Sequence, residues 1–268
     1  MQMNWKLTIE YDGTRYYGWQ EQKSARTVAG EVRRAAEEFL NQPAELFGAG
    51  RTDAGVHALA QVARLRATRR VKPVELHYGL NDRLPPDINI LRVEETNGQF
   101  DPRRDAIARY YLYQISTRRT AFAKKAVWWV KDKLDVDAMQ KACALLVGRH
   151  DFARFCDKRA GDQSTIVVVE RAELGREGDL LLFRIGASHF LWKMVRRITG
   201  ALVEVGRGHL LINEFQSLFE DADMRRAATA LDIAARTAPP SGLFLERAVY
   251  PGDERPGALL PAIAVQRL

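Results

Sequence analysis

The spacing of apolar residues along the chain changes period several times, and each change marks an element. KLTIEYDG (6–13) alternates, is rich in β-formers and ends at Asp12-Gly13, which predicts a strand. TVAGEVRRAAEEFL (27–40) shifts to helical spacing, with Val28, Val32, Ala35, Ala36 and Phe39 on one face and Thr27 placed to cap the start. ELFGAGR reads as a short strand, and ALAQVARLRA (58–67) as a second with alternating apolar positions. PVELHYGLNDRL (73–84) opens with proline at a natural first helical position and stops before Pro85-Pro86. INILRVEET (88–96) closes the series as a strand. The order is β-α-β-β-α-β.

The second half repeats that order without repeating the sequence. ARYYLYQIS (108–116) is a strand and VDAMQKACALLVG (136–148) a helix ending at a glycine. TIVVVERAELG (165–175) and DLLLFRIGAS (179–188) form a hairpin across Arg176-Glu177-Gly178. HFLWKMVRRITGALVEVG (189–206) is the longest helix, with Phe190, Met194, Ile198 and Leu202 as its apolar stripe. INEFQSLFEDA (212–222) adds a helix, and GLFLERAVY (242–250) ends on a strand. The fold class is α/β (α+β): two ferredoxin-like halves sharing a mostly antiparallel sheet with a central cleft. The expected division is 1–103 and 104–268, and the clusters of basic residues make that cleft a candidate RNA groove.

Composition narrows the class. At 268 residues and 46% apolar content the chain can bury a sizeable core, and no apolar run has bilayer-spanning length. MQMNWKLTIEYDG reads straight into a strand with no leader pattern, so a cytoplasmic location is expected. Two cysteines, Cys143 and Cys156, are too few for a disulfide scaffold or a cysteine metal site. The net charge of +7 comes in clusters: Arg64, Arg66, Arg69, Arg70 and Lys72, then Arg103, Arg104 and Arg109. Arg118, Arg119, Lys124 and Lys125 follow, then Lys193, Arg196 and Arg197. Any one cluster reads as solvated surface, but recurrence along the chain points to a polyanion, nucleic acid first and an anionic metabolite second.

No phosphate loop, GxGxxG, GxSxG, HExxH or CxxC occurs, and the five histidines lack metal-ligand spacing, so no cofactor and no metal are expected. What stays is chemistry built from a carboxylate, an arginine and an aromatic ring. GAGRTDAGVHALAQV (48–62) holds Asp53 between a strand and its return. Alone, Asp-Ala-Gly is a turn former, and Arg51 and His57 read as solvated or packed side chains. YDGTRYYGWQ (11–20) sets Tyr16, Tyr17 and Trp19 beside glycines and Arg15, either as core or as stacking surface for RNA bases. In ARYYLYQI, Tyr111 and Tyr113 share one face of the strand and Tyr110 the other, so at least one is core. On the long helix, Arg197 is expected at the surface, and Arg196 nearer the apolar side, where it needs a carboxylate partner.

These stretches, with TVAGEV, LNDRLPPDI, GRHDFARF, HFLWKMVRRITGALVEVG and APPSGLFLERAVY, resemble the TruA family of tRNA pseudouridine synthases, in order and over nearly the whole chain. GRTDAGVHA is the most specific of them. The resemblance implies the pseudouridine synthase fold and isomerisation of uridine at tRNA positions 38, 39 and 40, without cofactor or metal, by a homodimer that carries tRNA across both subunits. It implies Asp53 as the catalytic aspartate and Arg51 as the filler of the space left by the flipped base. Tyr111 would stack on the target uracil and Arg196 would pair with the catalytic carboxylate. Tyr17, Trp19, Arg64, Arg66 and Arg109 are the expected RNA contacts, and the loop glycines are expected to admit RNA. Tyr110 and Trp192 stand where basic and polar residues are common, which bears on RNA contacts rather than chemistry. Asp53 could attack C1′, add to C6 or take a proton from C2′, and the sequence leaves all three open. Two other readings compete. A non-catalytic RNA-binding protein would bind tRNA with steep salt dependence and make no new nucleoside. An enzyme of an anionic small molecule would not hold tRNA at moderate salt.

Overall fold

In the computed structural model, which describes residues 2–157, 164–219 and 231–265, the chain forms two compact units. The first comprises residues up to Ile107 and the returning segment Phe244–Arg255; the second comprises Ala108–Leu243 and the residues from Pro256 on.

The first unit runs β1 (Met3–Tyr11), α1 (Val28–Leu40), β2 (Glu45–Gly48), β3 (His57–Ala67), α2 (Pro73–Asn81) and β4 (Ile88–Glu95). Its strands lie in the order β4-β1-β3-β2, all antiparallel, which is the ferredoxin-like arrangement of a β-α-β-β-α-β unit. Helix α1 begins where the Thr27 hydroxyl accepts the Gly30 amide at 3.3 Å and ends at Asn41 in the left-handed conformation. Val28, Val32 and Leu40 are buried, each worth about 1.5–3 kcal/mol. The aromatic ring of Phe39 lies against the Cα of Gly79 on α2. Strand β3 is long enough to serve two partners on the edge opposite β1: Leu46 of β2 faces Leu65 near its end, while β10 (Leu243–Val249) runs parallel beside its start, Phe244 facing His57. That pairing is what returns the C-terminal strand to the first unit.

The second unit runs β5 (Ala108–Ser116), β6 (Trp128–Trp129), α3 (Val136–Ala144), β7 (Gly148–Asp151), β8 (Ile166–Glu177), β9 (Leu180–Ala187), α4 (Met194–Gly206) and α5 (Ile212–Ser217). Strands β5-β9-β8-β7 are antiparallel neighbours, and β6 pairs parallel with the end of β5. Helix α3 packs on α4 and β8, while Phe152, Phe155, Phe215 and Phe219 form an aromatic cluster. Helix α4 starts five residues later than its sequence periodicity suggests. Lys193 takes a left-handed conformation, φ 63°, and the Met194 amide closes a turn on the Leu191 carbonyl, so residues 189–192 stay outside the helix. Of the helix expected over 212–222, residues 220–222 lie outside the described residues. No helix among those described is long and apolar enough to cross a membrane.

Candidate active site

Asp53 sits in the loop 49–56 that joins β2 to β3, half-buried, with Arg51 exposed two residues earlier. The loop is held from several sides by backbone and buried side-chain hydrogen bonds. Its first residue, Ala49, donates to the Val62 carbonyl at 2.8 Å, and the Gln61 amide donates to the Gly50 carbonyl at 3.0 Å. The Thr52 carbonyl accepts the Trp19 amide at 3.1 Å, and the Gly55 amide donates to the Tyr16 carbonyl at 3.2 Å. Beneath them the hydroxyls of Tyr11 and Thr52 meet at 2.7 Å, buried. Immediately after Asp53, the Val56 amide returns to the Asp53 carbonyl at 3.2 Å, closing the turn. The turn-former and the functional carboxylate are therefore compatible roles for one residue: the turn sets the backbone on which the carboxylate is carried.

The stretch 11–20 is the wall against which this loop is pressed. A Cβ on Gly18, which has φ 90°, would lie 2.4 Å from the Thr52 carbonyl oxygen, and one on Gly13 would lie 1.9 Å from that of Val56. Only glycine permits both approaches. Trp19 corrects an expectation: offered as an RNA-stacking residue, it is 3% exposed, its indole against the Cα of Gly48 and 6.2 Å from the Tyr11 ring. An aromatic with both faces covered holds the loop in place and has no room for a base. Tyr16 is buried too; burial raises its pKa, and its hydroxyl donates to Asp87. Tyr17, at 66% exposure, is the aromatic of the three that faces solvent. Two of the loop glycines answer to needs of the protein itself. Gly48 accommodates Trp19 and Gly55 turns the chain at φ 77°, whereas Gly50 opens onto free space.

His57 is a structural residue. Its buried ring stacks on Phe244 at 4.7 Å, and Nδ1 lies 3.1 Å from both the Gly13 amide and the Asp12 carboxylate. One nitrogen serves one of these at a time. The amide is the better partner, because Asp12 is half-exposed and already accepts the amide and hydroxyl of Thr14.

The first unit also carries Arg64 and Arg66 on β3. The Arg64 guanidinium donates to the Phe100 carbonyl at 2.5 Å and lies 4.9 Å from the Phe47 ring, and Arg66 pairs with Glu45. Both are half-buried and engaged with their own protein.

In the second unit, β5 carries the tyrosines as the alternation requires. Tyr110 is buried and donates to Glu170 at 2.5 Å; Tyr113 is buried and donates to the Pro239 carbonyl at 2.7 Å. Tyr111 is half-exposed, its ring edge-on to Phe190 at 4.9 Å. Arg109 donates to the Ser188 carbonyl at 3.0 Å. His189, beside it, has its pKa lowered first by partial desolvation of the ring and then by the Arg109 charge.

The arginine pair on α4 reverses one expectation. Arg197 is 5% exposed and its guanidinium pairs with Asp157, which also accepts Lys193 at 2.7 Å. Those two hydrogen bonds, from Lys193 first, hold the Asp157 carboxyl below its ordinary range. Asp157 lies 40 positions upstream of Arg197, outside the reach of helical periodicity. Arg196 is half-buried, and its Nε donates to the Ala238 carbonyl at 2.8 Å while the Ala238 amide donates back to the Arg196 carbonyl at 3.0 Å. Segment 236–238 can lie this close because Gly200 has no Cβ; one there would be 1.7 Å from the Arg236 carbonyl oxygen.

Comparison with known proteins gives a consistent result. The tRNA pseudouridine synthase family model matches residues 7–103 and 142–251. The chain is similar to tRNA pseudouridine synthase A of Brucella ovis, and equally to that of Brucella canis, at 38% identity over 90% of this chain and 95% of each relative. Among solved structures, a chain of the archaeal box H/ACA sRNP Nop10–Cbf5 complex aligns over 74% of this chain and 43% of its own at 13% identity. Its TM-score is 0.29, and nothing further rests on it.

Proposed function

The chain belongs to the tRNA pseudouridine synthase family, isomerases that act on tRNA, and from that membership we propose its reaction and the residues that perform it. It converts uridine to pseudouridine at positions 38, 39 and 40 of the anticodon stem-loop, working in the cytoplasm as a homodimer. The observation that carries the reading is Asp53, presented on a loop that its surroundings hold from several sides, in the GRTDAG stretch.

The chemistry suits those residue types. Isomerisation breaks the N1–C1′ bond, turns the uracil and rejoins it through C5, with no net oxidation or hydrolysis. It calls for a carboxylate placed at the sugar and base. Arg196 is the cation assigned to pair with that carboxylate. Tyr111, half-exposed, offers a ring on which the extruded uracil stacks, and Arg51, exposed, occupies the gap left in the RNA stack. Unstacking costs a few kcal/mol, which these two contacts offset. Tyr17, Arg64, Arg66 and Arg109 contact the RNA around the target.

The test uses tRNA carrying tritium at C5 of uridine, because C5 loses its hydrogen when the glycosidic bond re-forms there. Wild type releases tritium, and Asp53→Asn lowers release by about 10⁴-fold or more. Undiminished release from the variant, or tRNA binding by wild type with no new nucleoside in digests, overturns the assignment.

A further inference from the structure

Between β5 and α3 the chain runs TRRTAFAKKAVWWVKDK, residues 117–133, with six cations against one acid, Asp132, in a chain whose whole net charge is +7. Phe122, at the tip of this segment, is fully exposed at 103%. Trp129 is 43% exposed on β6, and Arg119, Lys124, Lys125, Lys131 and Lys133 are all exposed.

The display is built by hydrogen bonds at both ends. Ser116 donates to the Arg118 carbonyl at 2.7 Å, and Arg118 pairs with Asp179 at 2.8 Å. The Ala123 amide donates to the Thr120 hydroxyl at 3.3 Å, the Ala126 amide to the Ala123 carbonyl at 2.8 Å, and Gln114 to the Ala126 carbonyl at 3.0 Å. Ala123 is buried. The segment is therefore anchored on either side of Phe122, at Thr120 and at Ala123, while the ring is left in water.

We propose that residues 117–133 form a second RNA-binding element of this protein, in which Phe122 stacks on a base and Lys124 and Lys131 contact phosphates. The proposal rests on the tRNA reading above and extends it to a place that reading does not use. Tyr111 lies in the middle of β5, five residues and about 17 Å along the strand from Ser116, so the element meets RNA away from the target uridine. Exposed aromatics among cations are the composition with which proteins hold unpaired or splayed nucleotides: stacking on any base face, and charge along the backbone. A second copy of this chain is a poorer occupant, because the cores of protein interfaces are depleted in lysine.

The experiment measures full-length tRNA affinity and steady-state kinetics for Phe122→Ala, Phe122→Trp, Phe122→Leu and the double variant Lys124→Ala/Lys131→Ala. Removing the ring is expected to weaken tRNA binding and raise KM about tenfold, with kcat at saturating tRNA unchanged. Tryptophan restores affinity, and leucine, apolar but unable to stack in the same way, does not. The double lysine variant lowers the slope of log affinity against log salt by about 2. Unchanged affinity and salt slope in these variants overturn the proposal. So does dissociation of a dimer by Phe122→Ala with tRNA affinity per subunit intact, which makes the patch a subunit interface. Binding is read independently of turnover, so a wild type that binds tRNA without isomerising it refutes the proposed reaction and leaves this element to be judged by its own variants.

Discussion

The loop that carries Asp53 and the turn that opens α4 before Arg196 each place one charged group, and they are held by different forces. The loop is fixed by neutral backbone hydrogen bonds to the 11–20 stretch, by the buried Tyr11–Thr52 pair and by glycines that admit close approach. The start of α4 is fixed by ions: Asp157 holds Lys193 and the buried Arg197, leaving Arg196 on the Ala238 carbonyl. It has no acidic residue in its first turn and no side-chain cap, and three cations crowd a helix end that already carries positive dipole. Asp157 offsets that unfavourable charge. A lock of neutral backbone contacts is indifferent to salt and acid; a lock of charges is not.

The largest effect separating the two is expected from Gly18→Ala. Its Cβ meets the Thr52 carbonyl at 2.4 Å at a φ of 90°, so the loop must move or the variant must lose about 3 kcal/mol or more. A shift of about 1 Å at Asp53 is enough to cost about 10²-fold in turnover. Urea unfolding and single-turnover assays report both, and a neutral outcome removes the wall from the account.

Next comes Asp157→Ala, which leaves Arg197 buried without its partner. A fully buried broken pair costs about 3–5 kcal/mol, but the Asp157 side chain is about a third exposed, so about 2 kcal/mol is expected. Combining it with Arg197→Met should recover most of that loss. A double-mutant cycle showing independent effects would mean the pair does not hold the turn.

Tyr11→Phe tests the loop more gently. Thr52 loses its buried partner, for an expected loss of about 1–2 kcal/mol, visible in thermal unfolding and insensitive to added salt.

The smallest effect is the pH response. The carboxyl of Asp157 is depressed in the folded state, so its contribution is present above the ordinary carboxylate value, near 3.8, and is lost as pH falls through the lower folded value. Glu204 behaves alike: burial pushes its carboxyl up, but hydrogen bonds from His209 and Arg207 outweigh that and bring it down. The stability difference between wild type and Asp157→Asn should therefore shrink below about pH 4, while the penalty of Tyr11→Phe stays constant. Parallel pH dependence in both variants would erase the distinction between the two locks.

Much of the Asp53 region was legible in the sequence because its determinants are local and of distinctive type. A run of Gly, Asp and Arg between two alternating segments announces a shaped turn, and Thr27, Pro73 and the alternation in 58–67 announce their own elements. The errors share one cause. Trp19 looked like a base-stacking residue because a sequence does not show that Gly48, 29 positions on, leaves a slot for its ring. Arg197 looked like surface because its partner is Asp157. β6 and β7, two and four residues long, are too short for alternation to register in the sequence.

Period, capping residues, turn chemistry and the ordered motifs were enough, without coordinates, to determine the β-α-β-β-α-β order, the family and the residues proposed for catalysis. Tertiary structure alone decided which aromatics face water, which arginine is buried, and that β10 returns beside β3. Local propensity acts over a few residues and is written in adjacent letters. Burial and ion pairing act over a few ångströms between residues tens of positions apart, and only the folded chain brings those together.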